Sequence, residues 1–84
     1  MNEQLEAYIN HVKYKLQPLT IKTYIHNINQ FSKSLNCSIK SLNTVEYQTI
    51  LSYIGKKRTE VSVSTLNTIL QSLKSYFDMY LINI

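Results

Sequence analysis

Leu5, Tyr8, Ile9, Val12 and Leu16 recur at steps of three and four residues, the spacing that places side chains on one stripe of an α-helix. The same step returns in Ile21, Tyr24, Ile25, Ile28, Phe31 and Leu35, then in Tyr47, Ile50, Leu51 and Ile54. It returns once more in Leu66, Ile69, Leu70, Leu73, Phe77, Tyr80 and Leu81. Each stripe must be buried against another, so this repetition constrains the fold more than any other feature. With one Gly, one Pro and 44% apolar residues in 84, the chain has few breakers and enough apolar surface for one core. The expectation is all-α: a compact four-helix orthogonal bundle, residues 1–84 forming a single domain.

Pro18 has no amide to donate and disfavours a helical residue before it, so it is expected to end or separate the first helix, of about three turns, with a boundary at Gln17 to Thr20. Thr20 is placed as N-cap of a second helix over 20–35. Residues 36–43 read as a connector pinned to the core by Ile39 and Leu42. Thr44 is placed as N-cap of a third helix ending near Gly55. Residues 56–63 lack a helical period and read as an exposed loop, after which Ser62 or Ser64 caps a long fourth helix.

Cys37 is alone, which excludes an internal disulfide and argues for a small packing residue in a reducing compartment. No apolar run approaches the roughly 20 residues that span a bilayer, and Glu3 and Glu6 break the pattern of a secretion signal. The chain reads as cytoplasmic, without a membrane. His11 and His26 have no second ligand at metal spacing, so neither a metal nor another cofactor is expected. There is no Gly-rich phosphate loop and no nucleophile with a positioned base, which excludes a stand-alone enzyme of familiar type. The formal charge of +4 favours a polyanion without demanding one.

The second stripe reads Leu19-Thr20-Ile21-x-x-Tyr24-x-x-x-Ile28-x-x-Phe31. The fourth reads Ser64-Thr65-Leu66-Asn67-x-x-Leu70-x-x-Leu73-Lys74-x-x-Phe77-x-x-Tyr80-Leu81. With Thr44-Val45-x-x-x-x-Ile50-Leu51-x-Tyr53-Ile54 between them, this pattern resembles the N-terminal core-binding, SAM-like domain of phage integrases and related tyrosine recombinases. The resemblance runs from about Leu5 to Ile82 and implies a module whose second and fourth helices face double-stranded DNA. It also implies partners: a C-terminal catalytic domain that clamps the duplex from the other side, and neighbouring recombinase protomers. The family's catalytic residues are an Arg pair, a Lys, a His-x-x-Arg element and a Tyr nucleophile. Arg58 is the one Arg here and neither His is followed by Arg three residues on, so the chain is expected to be a non-catalytic, monomeric DNA-binding domain.

Helical spacing gives a separate set of candidate contacts. Lys22, His26, Asn29 and Lys33 form one polar stripe on the second helix, and Asn67, Gln71 and Lys74 begin a similar one on the fourth. Thr20, Lys22 and Thr23, with Ser64, Thr65 and Asn67, stand where helix N-termini offer free amides to phosphate. Asn67 and Gln71 also carry amides able to pair with adenine. Lys56, Lys57 and Arg58, the one dense basic run, either hold a phosphate or cap the third helix. Asp78 continues the fourth-helix stripe and should end the contact by repulsion. For any one of these residues, a merely solvated helix face is the competing reading.

Seven tyrosines are present, of which Tyr8, Tyr24, Tyr47 and Tyr80 lie on apolar stripes and are expected to be buried rings with their hydroxyls reaching an edge. A second function class, a helical protein-interaction module, rests on the apolar tail from Met79 to Ile84. There Met79 falls off the expected core stripe, and Ile82 and Ile84 extend it.

Overall fold

Four helices follow one another in the computed structural model, which describes residues 3–38, 42 and 45–82, with residues 80–82 described by their backbone alone. They are α1 (Glu3–Val12), α2 (Pro18–Ser34), α3 (Tyr47–Lys57) and α4 (Val63–Ile82), with no strand among the described residues. The Cα radius of gyration is 12.3 Å, close to the roughly 12 Å of a folded chain this long. The all-α, four-helix expectation is met.

Several boundaries differ from the expected ones, for local reasons. The first boundary falls within the expected Gln17 to Thr20, where Pro18 opens α2, because the first helical position needs no amide and favours the fixed φ of proline. α1 has already ended at Val12, and Leu16 sits half-buried in the turn beyond it. The N-cap of α2 is therefore Gln17, without a side-chain cap, and Thr20 lies inside the first turn. Glu46 occupies the N-cap position of α3; Thr44, expected there, lies outside the described residues. α3 runs past Gly55 and takes in Lys56 and Lys57, leaving 58–62 as the connection. Of the two serines considered for α4, Ser62 is the cap: its Oγ accepts from the Thr65 amide at 3.2 Å.

α2 stops at Asn36, whose φ of 53° is tolerable for Asn. The Asn36 amide donates to the Lys33 carbonyl at 3.0 Å and the Cys37 amide to the Ser32 carbonyl at 3.2 Å, the paired bonds of a Schellman ending. Leu42, fully buried, then pins the connector as expected; Ile39 lies outside the described residues.

A chain of ring contacts runs through all four helices. Tyr8 of α1 meets Tyr76 of α4 at 5.7 Å, Tyr76 meets Phe77 at 5.5 Å, Phe77 meets Phe31 of α2 at 6.2 Å, and Phe31 meets Tyr53 of α3 at 4.8 Å. Tilted and edge-on pairs of this kind add about 0.5–1.5 kcal/mol each to the burial of their area. Ile28, Leu73, Ile69, Leu5 and Val12 fill the space around them.

Four side-chain placements overturn the sequence expectation. Met79 is buried with the core, and with it goes the proposed exposed patch at that residue; Ile84 lies outside the described residues. Tyr47 and Leu51, expected on the buried face of α3, are 70% and 45% exposed, because α3 turns Tyr53 inward and presents their side to solvent. Leu70 is likewise largely exposed.

Candidate nucleic-acid interface

Between α2 and α4, Tyr24 bonds Gln71, Asn27 bonds Ser72, and Phe31 packs on Phe77. Residue numbers rise together along both helices, so the two run in the same sense and their N-termini open at the same end of the molecule. Each N-terminus presents unpaired amides and the positive end of a helix dipole, about half a charge. The C-termini of α1 and α3 are separated from these two N-termini by only five residues each, 13–17 and 58–62, so what this end offers is local first-turn amides, not a net backbone charge.

A shallow cleft lies where the N-terminal halves meet, lined by Leu19, Thr20, Thr23, Tyr24, Thr68 and Gln71. None of its side chains is charged. Thr23 donates its hydroxyl to the Leu19 carbonyl at 3.1 Å and Thr68 to the Ser64 carbonyl at 3.2 Å. Their protons are thus committed to their own helices, as is common for Thr within a helix. Tyr24 donates to Gln71 Oε1 at 3.2 Å, which turns the Nε2 end of that amide away from the ring.

Thr20, Thr23 and Gln71 are the expected contact residues that the fold brings together at the cleft. Lys22, His26, Asn29 and Lys33 do form one stripe, but at 3.6 residues per turn it lies about 120° around α2 from Thr20, Thr23 and Asn27. It forms a separate flank, exposed apart from a half-buried Asn29. Ser64, Thr65, Asn67 and Lys74 are exposed along α4, and Asp78, also exposed, follows Lys74 by one turn.

Lys56, Lys57 and Arg58 are not equivalent. Lys57 is half-buried, 3.4 Å from a Glu60 carboxylate oxygen and 5.6 Å from the centre of the Tyr53 ring, so its charge is already engaged. Arg58 caps α3 and is exposed, as is Lys56. The Lys57 charge is thus engaged by Glu60 and the Tyr53 ring, whereas Lys56 and Arg58 are open to solvent.

Leu19, Tyr24 and Thr68 were not among the expected contacts. Thr68 was discoverable, standing one turn after Ser64 and three residues before Gln71, whereas Tyr24 is expected only as a buried ring with its hydroxyl at an edge. Its ring is half-buried, and its hydroxyl reaches the opposite helix. Among the described residues, no three His, Cys, Asp or Glu side chains could together hold a metal ion, and no helix is long and apolar enough to cross a membrane.

The phage integrase N-terminal SAM-like domain model matches residues 1–83 of this chain. Comparison with curated proteins and with solved structures yields no match.

Proposed function

The chain belongs to the phage integrase N-terminal SAM-like domain family, and on that premise we propose that it binds duplex DNA at the recombination site of a tyrosine recombinase. Cutting and rejoining fall to a separate catalytic domain that holds the opposite side of the duplex. The observation that carries this reading is the family match along nearly the whole chain. The arrangement of α2 and α4 supports a specific face.

On this reading the shared N-terminal end meets the DNA backbone, where first-turn amides of α2 and α4 and exposed Ser64 and Thr65 favour phosphate. The uncharged cleft lies over a groove, with Gln71 and Asn67 as amide groups and exposed Leu19 as an apolar surface for a thymine methyl. Lys22, His26, Asn29 and Lys33 on one side, and Lys74 on α4, approach the flanking phosphates. Lys56 and Arg58 approach a phosphate beyond the turn.

Titration of the ¹⁵N-labelled domain with a mixed-sequence duplex at low salt tests the proposal. Amide shifts should concentrate in residues 18–33 and 62–74. Shifts confined to α1 or the middle of α3 would place the interface elsewhere, and the absence of any shift at low salt would refute DNA binding by this domain.

A helical protein-interaction module is the second reading, favoured by Tyr47 and Leu51, one turn apart and exposed on α3. Sedimentation separates the two readings: self-association indifferent to salt and DNA supports the second.

A further inference from the structure

Gln71 reaches DNA as a free amide only if nothing else holds it, and Tyr24 holds it. The Tyr24 hydroxyl donates to Oε1 at 3.2 Å across the α2–α4 seam, a bond between residues 47 apart in sequence. An amide whose carbonyl is engaged on one side presents its two Nε2 hydrogens on the other. Thr23 and Thr68, its neighbours in the cleft, have both given their protons to backbone carbonyls. Gln71 therefore supplies donors in a cleft whose other oxygens mainly accept.

From this geometry we infer that Tyr24 is a positioning residue: it orients the Gln71 amide so that Gln71 acts as a hydrogen-bond donor to an acceptor on DNA. The inference rests on the proposed DNA-binding role and refines it. A freely rotating Gln pairs with adenine by donating and accepting together. Anchored through its carbonyl, Gln71 is biased toward groups that only accept, namely guanine O6 and N7, thymine O4 or a phosphate oxygen. Fixing the amide beforehand also removes part of the side-chain ordering cost that binding would otherwise carry.

Tyr24 acts through Gln71, so the two should be coupled. Affinity for a mixed-sequence duplex at low salt is measured for the unchanged domain, Tyr24→Phe, Gln71→Ala and the double variant. Tyr24→Phe should weaken binding about five-fold, because the cost of ordering the Gln71 side chain returns. In the Gln71→Ala background the same change should have no further effect. The Gln71 side-chain ¹⁵NH₂ resonances should shift in Tyr24→Phe even without DNA, while the backbone amide spectrum remains that of the folded domain. A second duplex, with 7-deazaguanine in place of guanine, distinguishes the acceptors. Loss of the Gln71-dependent part there identifies guanine N7, and its persistence identifies another base acceptor or phosphate.

Additive losses in the double variant, or unchanged affinity in Tyr24→Phe, would overturn the inference while leaving DNA binding intact. Failure of the unchanged domain to bind any duplex would instead remove the functional proposal on which the inference stands.

Discussion

Asn27 Nδ2 donates to Ser72 Oγ at 2.9 Å, and Ser72 Oγ donates in turn to the Thr68 carbonyl at 2.7 Å, so a polar relay crosses the seam between α2 and α4. Ser72 is fully buried and Asn27 half-buried. Ser72→Ala removes the acceptor and leaves the Asn27 amide facing an apolar wall, a loss of about 1–3 kcal/mol. Urea unfolding should show a lower midpoint with an unchanged slope. An unaltered midpoint would mean that the relay contributes nothing to stability.

Ser62, rather than Ser64, caps α4, and the two serines give a matched pair of variants. Ser62→Ala should cost about 1 kcal/mol, because the Thr65 amide loses its side-chain acceptor. For a domain of this size that lowers Tm by about 4–8 °C. Ser64→Ala, at an exposed site, should stay within about 0.5 kcal/mol of the unchanged domain. Thermal melts decide the ranking, and the reverse order would place the helix start two residues later.

Alkaline pH should unfold the domain through its packed phenols. Burial raises the Tyr8 pKa above the usual 10.0, opposed by the Ser75 hydrogen bond and reinforced by Tyr24; burial raises Tyr53 as well, opposed by the nearby Lys57. The folded chain thus keeps these protons to higher pH than the unfolded chain does. Stability from this source is complete below pH 10.0 and is lost as pH rises through the raised folded values. Tyr8→Phe should flatten the decline above pH 10.0 in chemical-denaturation series, although it also removes the 2.7 Å bond to Ser75 and so lowers stability at neutral pH. A decline as steep in Tyr8→Phe as in the unchanged domain would assign the alkaline transition to other groups.

The helices were legible because apolar spacing within one segment reports directly on one buried stripe. That information ends where a second neighbour begins. α4 is covered by α1 on the side of Tyr76 and Met79 and by α2 on the side of Phe77, so its buried arc is wider than one stripe and takes in Ser72, Tyr76 and Met79, which the spacing left outside. α3 touches the core mainly through Tyr53, so its buried arc is narrower, and Tyr47 and Leu51 fall outside it. The candidate site divides the same way. Polar stripes on single helices could be read from spacing, but the pairing of Tyr24 with Gln71 depends on how α2 crosses α4, which no local pattern encodes. Pro18 marked the boundary without telling which helix it belongs to, because the residue that ends one helix is equally suited to begin the next.

The lysines offer the sharpest test of where phosphate lies, because the structure separates engaged from open charges. If about four phosphates are neutralised, log affinity should fall with log salt at a slope near −3.6, a loss of about a hundredfold between 50 and 200 mM. Lys22 is exposed on the flank of α2, and Lys22→Ala should make that slope shallower by about 0.9 as one counterion contact disappears. Lys57 is held between Glu60 and the Tyr53 ring, so Lys57→Ala should leave the slope unchanged. Its pairing is a partly exposed one, and stability should move by less than about 1 kcal/mol. Fluorescence anisotropy across a salt series reads both slopes. A shallower slope for Lys57→Ala together with an unchanged one for Lys22→Ala would move the phosphate path from the α2 flank to the turn before α4.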